Sequence, residues 1–92
     1  MDPGWAHAAL ARDLLTGERY VTRYAAAREL GQTRDAKALP FLMHALIRDD
    51  HALVRGAAAL GLGHLKAWYE HAPRKFGPQI IEIASLLGVA GK

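Results

Sequence analysis

Displacing the chain by 32 positions lays Arg23-Tyr24-Ala25-Ala26-Ala27 over Arg55-Gly56-Ala57-Ala58-Ala59 and Leu30-Gly31 over Leu62-Gly63. The same shift lays Leu10 over Leu42 and Leu14-Leu15 over Leu46-Ile47. One such coincidence is ordinary in an alanine-rich chain; four in a single register mark a repeat. A fixed period of about 20–50 residues implies units that cannot bury an apolar face alone and stack on their neighbours.

Eighteen alanines and thirteen leucines, against three valines and four isoleucines, make those units helical. Asp2-Pro3 opens a first helix near residues 3–16, with Leu10, Ala11, Leu14 and Leu15 at 3–4 spacing. A second runs from about Glu18 to Leu30 and stops at Gly31, with Val21, Tyr24, Ala25 and Ala27 toward its buried side. Asp35 caps a third, which carries Leu39, Leu42, Met43 and Leu46; Pro40 makes its first turn irregular and starts the regular helix near Leu39 or Pro40. Asp50 caps a fourth, from His51 to about Lys66, with Leu53, Val54, Ala57, Ala58, Leu62 and Leu65 at helical period. Residues 67–76 break the rhythm, and Gly77-Pro78 opens a fifth helix with Ile80, Ile81, Ile83, Leu86 and Leu87, closed by Gly88. The expected fold is all-α, an α-α superhelix of about five helices forming a single domain over residues 1–92. Its parts are repeat 1 at about 3–31, repeat 2 at about 35–66, an insertion at 67–76 and a capping helix at about 78–88.

Val54-Arg55, Ala57-Ala58-Ala59, Leu62-Gly63 and Leu65, preceded by Asp35, Ala38, Pro40, Leu42 and Leu46, resemble the HEAT-like repeats of the phycobilisome-lyase type. The resemblance covers roughly Arg19 to Leu65. The copies are imperfect: Thr22 stands where the pattern has valine, and the small residue before the leucine is Glu29 in the first copy and Gly61 in the second. A third copy requires an insertion of nine residues, after which Ile80, Ile83 and Leu87 take the places of Leu39, Leu42 and Leu46. The resemblance implies a short right-handed α-solenoid of two and a half HEAT-like repeats. It also implies a non-catalytic scaffold that binds another protein through its concave inner-helix face, with self-association through the terminal helices as a further expectation. The alternatives are an accessory subunit of lyase or chaperone type, or a nucleic-acid-binding fragment.

Enzymatic chemistry finds little support. His7, His44, His51, His64 and His71 form no His-x-x-x-His or His-Glu-x-x-His motif, so no metal ligands are assigned. Ser85 is the only serine, it sits inside the fifth helix's pattern, and nothing near it suggests an activated nucleophile. Gly61-x-Gly63 follows no strand and reads as close packing or a helix end, not a phosphate loop. Catalytic residues and cofactors are therefore expected to be none. The absence of cysteine fits a reducing compartment, no apolar run approaches the roughly 20 residues of a membrane span, and the start lacks a signal-peptide pattern; a cytoplasmic chain is expected.

Two groups of residues are candidates for a partner surface. Arg23 and Arg55 share one repeat position. In the resembling family such arginines stack in a ladder with acidic residues from the repeat turns, here Asp35 or Asp50. Alternatively they join Arg19, Arg28 and His51 in a positive stripe on the concave face. The net charge of +3 is mild for a nucleic-acid surface. The second group is the loop 66–76, where Trp68, Tyr69, Arg74 and Lys75 combine aromatic area with directional charge. Either Trp68 and Phe76 seal the second repeat or the loop binds a partner; both hold if Trp68 points inward with Tyr69, Arg74 and Lys75 outward.

Overall fold

A computed structural model describes residues 4–71. Its elements are α1 (Ala8–Thr16), α2 (Tyr20–Gly31), a 3-10 turn (Ala36–Ala38), α3 (Leu39–Arg48) and α4 (Ala52–Glu70). The expected fifth helix, Arg74, Lys75 and Phe76 lie outside the described residues.

Local chemistry explains most of the boundaries. α1 starts at Ala8, five residues later than the Asp2-Pro3 signal suggests, and the segment before it is tied down by its side chains. Trp5 Nε1 donates to Asp35 Oδ2 at 2.7 Å, and the indole stacks on Phe41 at 5.6 Å between ring centres. At the other end of α1 the Gly17 N–H donates to the Asp13 carbonyl at 2.8 Å. A Cβ on Gly17 would lie 2.6 Å from that oxygen, so this tight exit needs glycine. α2 begins at Tyr20, two residues after Glu18. The Asp35 carboxylate accepts from Lys37 N–H at 2.9 Å and opens the 3-10 turn. Pro40 sits in the first turn of α3, where its missing N–H costs no hydrogen bond. The cap of α4 is His51, not Asp50: His51 Nδ1 accepts from Leu53 N–H at 3.1 Å.

α1 and α2 form one hairpin, α3 and α4 the next, and the largest inter-hairpin contact is α2 against α4. α1 and α3 thus make an outer layer and α2 and α4 an inner one, the arrangement of an all-α solenoid. Among the described residues, seven of the fifteen buried hydrophobic residues are alanines, which permits close helix approach but buries little area per residue. Leu14, Leu30, Leu42, Val54 and Leu65 fill the space between layers.

The tightest approach is where α2 crosses α4. A Cβ on Gly31 would collide with the Gly61 Cα, and one on Gly61 would lie 3.0 Å from the Gly31 Cα and 3.2 Å from a Leu42 methyl. The glycine repeated at 31 and 63 therefore meets a third glycine, one the repeat does not share. α2 is also rotated from the expected phase: Ala26, Ala27, Leu30 and Gly31 are buried, whereas Val21 and Ala25 are exposed and Tyr24 is half-buried. With alanines and aliphatics around much of α2, the pattern does not single out one face. α4 continues to Glu70, so residues 67–70 are helix and not a break.

Candidate functional site

The two repeat-related arginines converge on the turn between α3 and α4. Arg23 Nε donates to Asp49 Oδ2 at 2.9 Å and Nη2 to Oδ1 at 3.3 Å, a two-point grip on one carboxylate. Nη2 also reaches Asp50 Oδ1 at 3.0 Å, and Nη1 donates to the Gly17 carbonyl at 2.8 Å. Arg55 Nη1 donates to the Asp49 carbonyl at 2.9 Å. In both repeats the arginine thus bonds the carbonyl six residues before it, since 17 and 49 are themselves one period apart. His51 N–H donates to Asp49 Oδ1 at 2.9 Å, and the His51 ring stacks on Tyr20 at 3.8 Å.

The electrostatics follow from this geometry. Desolvation pushes the Asp49 carboxyl up. The Arg23 hydrogen bond, the His51 N–H and the Arg23 and His51 charges outweigh it and hold the group below its ordinary 3.8. The hydrogen bond to Asp49 in turn raises the Arg23 guanidinium, against an opposing desolvation. The ladder is real but its acid is Asp49, with Asp50 a secondary and 90% exposed partner. Asp35 serves Trp5 and Lys37 instead. Asp49 aligns with Gly17 under the repeat, so no duplicated acid in the sequence could have marked it.

Arg23, ion-paired to Asp49 and Asp50, is not free for a positive stripe, while Arg55 gives one hydrogen bond to the Asp49 carbonyl and pairs with no carboxylate among the described residues. Arg19 and Arg28 are exposed, with the Arg28 guanidinium 5.8 Å from the Tyr24 ring centre. The inner layer shows a different pattern that sequence reasoning passed over. Val21 and Leu53 occupy one repeat position and are 46% and 55% exposed; Leu60, seven residues on from Leu53, is 65% exposed. Leu53, Leu60, His64 and Ala67 fall on one face of α4 by helical spacing, and His71 follows as its C-cap. Their repeat equivalents Val21, Arg28 and Gln32 fall on the matching face of α2. The signal available in the sequence was Leu53 itself, assigned there to the core.

At the C-terminal end of this face, Gly31, Gln32, Arg34, His64, Ala67, Trp68 and His71 line a shallow groove. Arg34 holds a left-handed backbone at φ 59°, and its guanidinium lies 4.1 Å from the Trp68 ring centre. Tyr69, expected to point outward, is buried, while Trp68 is half-buried, packed against the core and lining the groove. Tyr69 Oη donates to the Arg34 carbonyl at 3.0 Å, pinning the turn between α2 and α3 to α4. Burial pushes the Tyr69 phenol up, with a smaller push from the Asp35 charge and an opposing hydrogen bond from the Ala36 N–H. None of the residues on this face or in the groove is a carboxylate.

Among the described residues, no three His, Asp or Glu side chains come together to hold a metal ion, and no helix is long and apolar enough to cross a membrane. No curated protein and no solved structure matches the chain. The model of the family described as HEAT repeats does match, over residues 8–74, which takes in all four helices and the ladder turn. The chain belongs to the HEAT repeat family.

Proposed function

We propose that this protein is a non-catalytic interaction module that binds another protein across the exposed face of α2 and α4. HEAT repeats generally serve as protein-interaction scaffolds. The observation that carries the reading is the repeated exposure of large aliphatic side chains at one helical phase, Val21 on α2 and Leu53 with Leu60 on α4. Arg28 lies on the same face of α2, Arg19 is exposed at its N-terminus, and the Arg34–Trp68 groove lies toward the C-terminal end of α4. A partner segment with aliphatic side chains and carboxylates fits a strip whose aliphatic residues Val21, Leu53 and Leu60 lie near Arg28 and a groove without carboxylates, with Glu29 the exposed acid on α2. Arg74 and Lys75, next along the chain from the groove, extend the same reading. The pairing of Arg23 with Asp49 and Asp50 weakens the positive stripe on which nucleic-acid binding would rest. Tyr69 and His51 act as structural supports for the face.

The test is affinity capture with the wild-type chain beside a Leu53→Glu/Leu60→Glu variant whose far-UV circular dichroism and melting are unchanged. Proteins retained by the wild type should be lost from the variant. An identical set of retained proteins refutes this face as the binding surface.

A further inference from the structure

We propose that the end of the α3–α4 pair is a docking face for residues 78–88 of the same chain. Four residue positions, each compared with its equivalent one repeat on, support this. Ala27 and Gly31 on α2 are buried, and Gly31 is where α4 crosses. Their equivalents on α4, Ala59 and Gly63, are exposed, and a Cβ on Gly63 would meet nothing within 4 Å. In the outer layer the contrast is one of degree: Leu15, which lines a surface with His44, Ala45 and Arg48 of α3, is 39% exposed, and its equivalent Ile47 is 65% exposed. Arg23 makes five hydrogen bonds, three of them to carboxylates of the following turn; Arg55 makes one among the described residues. The surface that lies inside the stack at the first unit is therefore bare at the second, and a solenoid end of this kind needs a cap.

The sequence supplies an occupant. Ile80, Ile83, Ala84 and Leu87 recur at helical spacing after Gly77-Pro78, giving bulky side chains to set against an alanine and glycine floor. Residues 71–79 separate Glu70 from Ile80, two more than the seven (32–38) that separate Gly31 from its equivalent Leu39, so the path out of α4 is long enough to bring this segment back onto the pair. A second copy of the chain is a poor match. Its α2 would present Thr22 and Glu29 where α4 presents Val54 and Gly61, setting a glutamate side chain on Gly63 at the crossing.

The absence of native cysteine makes the contact directly testable. In the full chain, Gly63→Cys, and in a parallel series Ala59→Cys, is paired with cysteine at 80, 83 or 87 and, as controls, at 82 or 85. Each variant is oxidised mildly at low concentration and its mass measured. An intramolecular disulfide with at least one of 80, 83 and 87, and none with 82 or 85, is the expected result. Disulfide-linked dimers, or equal yield at all five positions, overturn the proposal in favour of self-association or of an unordered segment. Thiol labelling gives a second readout: cysteine at 59 or 63 should react at least tenfold more slowly than Leu60→Cys, and equal rates overturn the docking. Because Leu60 lies on the proposed partner face, loss of this contact and loss of partner binding are separable outcomes.

Discussion

Replacing Gly61 by alanine sets two opposed effects against each other at a position where both can be sized. Alanine in a helix interior is favoured over glycine by about 1 kcal/mol, because it loses less backbone entropy on folding. The new methyl, however, would lie 3.0 Å from the Gly31 Cα and 3.2–3.3 Å from both Leu42 methyls. Leu42 is fully buried, so its side chain has no room to retreat, and the Gly31 backbone cannot move without displacing α2. Overpacking of this kind costs about 1–3 kcal/mol. Gly56 lies on the same helix, and a Cβ there would meet nothing within 4 Å, so Gly56→Ala receives the helix gain without the crossing cost. Comparing the two cancels the propensity and leaves the crossing alone, a gap of about 1–3 kcal/mol. For a domain of this size each kcal/mol moves Tm by roughly 4–8 °C. Thermal melts followed by circular dichroism in the far ultraviolet should show Gly56→Ala above the wild type and Gly61→Ala below Gly56→Ala by on the order of 10 °C. Equal Tm values for the two variants would refute the backbone-to-backbone crossing.

Leu42→Ala should cost about 2–5 kcal/mol in denaturant titrations, because the side chain is fully enclosed between layers and leaves a cavity; Leu62→Ala, 7% exposed, belongs to the same range, and a parent-like midpoint would remove Leu62 from the core. The folded-state pKa of Asp49 is depressed, so its contribution is present above its ordinary 3.8 and is lost as pH falls below that value through the lowered one. The stability difference between wild type and Asp49→Asn should accordingly be constant from neutral pH down to about pH 5 and shrink toward about pH 2–3; a difference that grows on acidification contradicts the assignment. Tyr69 has the opposite sense: its raised phenol pKa predicts stability held below its ordinary 10.0 and lost as pH rises beyond it, and Tyr69→Phe should flatten that alkaline loss. At neutral pH, Tyr69→Phe should cost about 1 kcal/mol for the lost bond to the Arg34 carbonyl.

The parts of this fold that were legible in the sequence are those written twice. The register linking Ala26-Ala27 to Ala58-Ala59 and Leu30 to Leu62 located the inner helices, and Pro40 located the irregular entry to α3. Features that occur once were missed. Asp49 has a glycine as its repeat partner, and its role comes from a hairpin turn meeting a helix 26 residues away. Trp68 and Tyr69 interrupt an alanine and leucine pattern and so read as a loop. Yet the helix continues through them, because Tyr69 is buried and its hydroxyl finds a carbonyl 35 residues back. The rotation of α2 was misjudged because alanine carries little amphipathic information. That same rotation exposes Val21, which turned a supposed core position into part of the candidate interface.

The Gly31–Gly61 crossing has a mechanical consequence. Two helices that touch backbone to backbone at one point, with the Leu42 side chain packed beside it, would turn about that point if one hairpin were to shift on the other. Asp49, gripped by Arg23 from one hairpin and bonded through its carbonyl to Arg55 of its own, lies toward the opposite end of both inner helices and works as a latch. With that contact and the latch both engaged, the spacing of Val21 from Leu53 is fixed. Releasing the latch would let that spacing open or close like a hand on a hinge, and a partner held across both helices would feel the change as a change in grip.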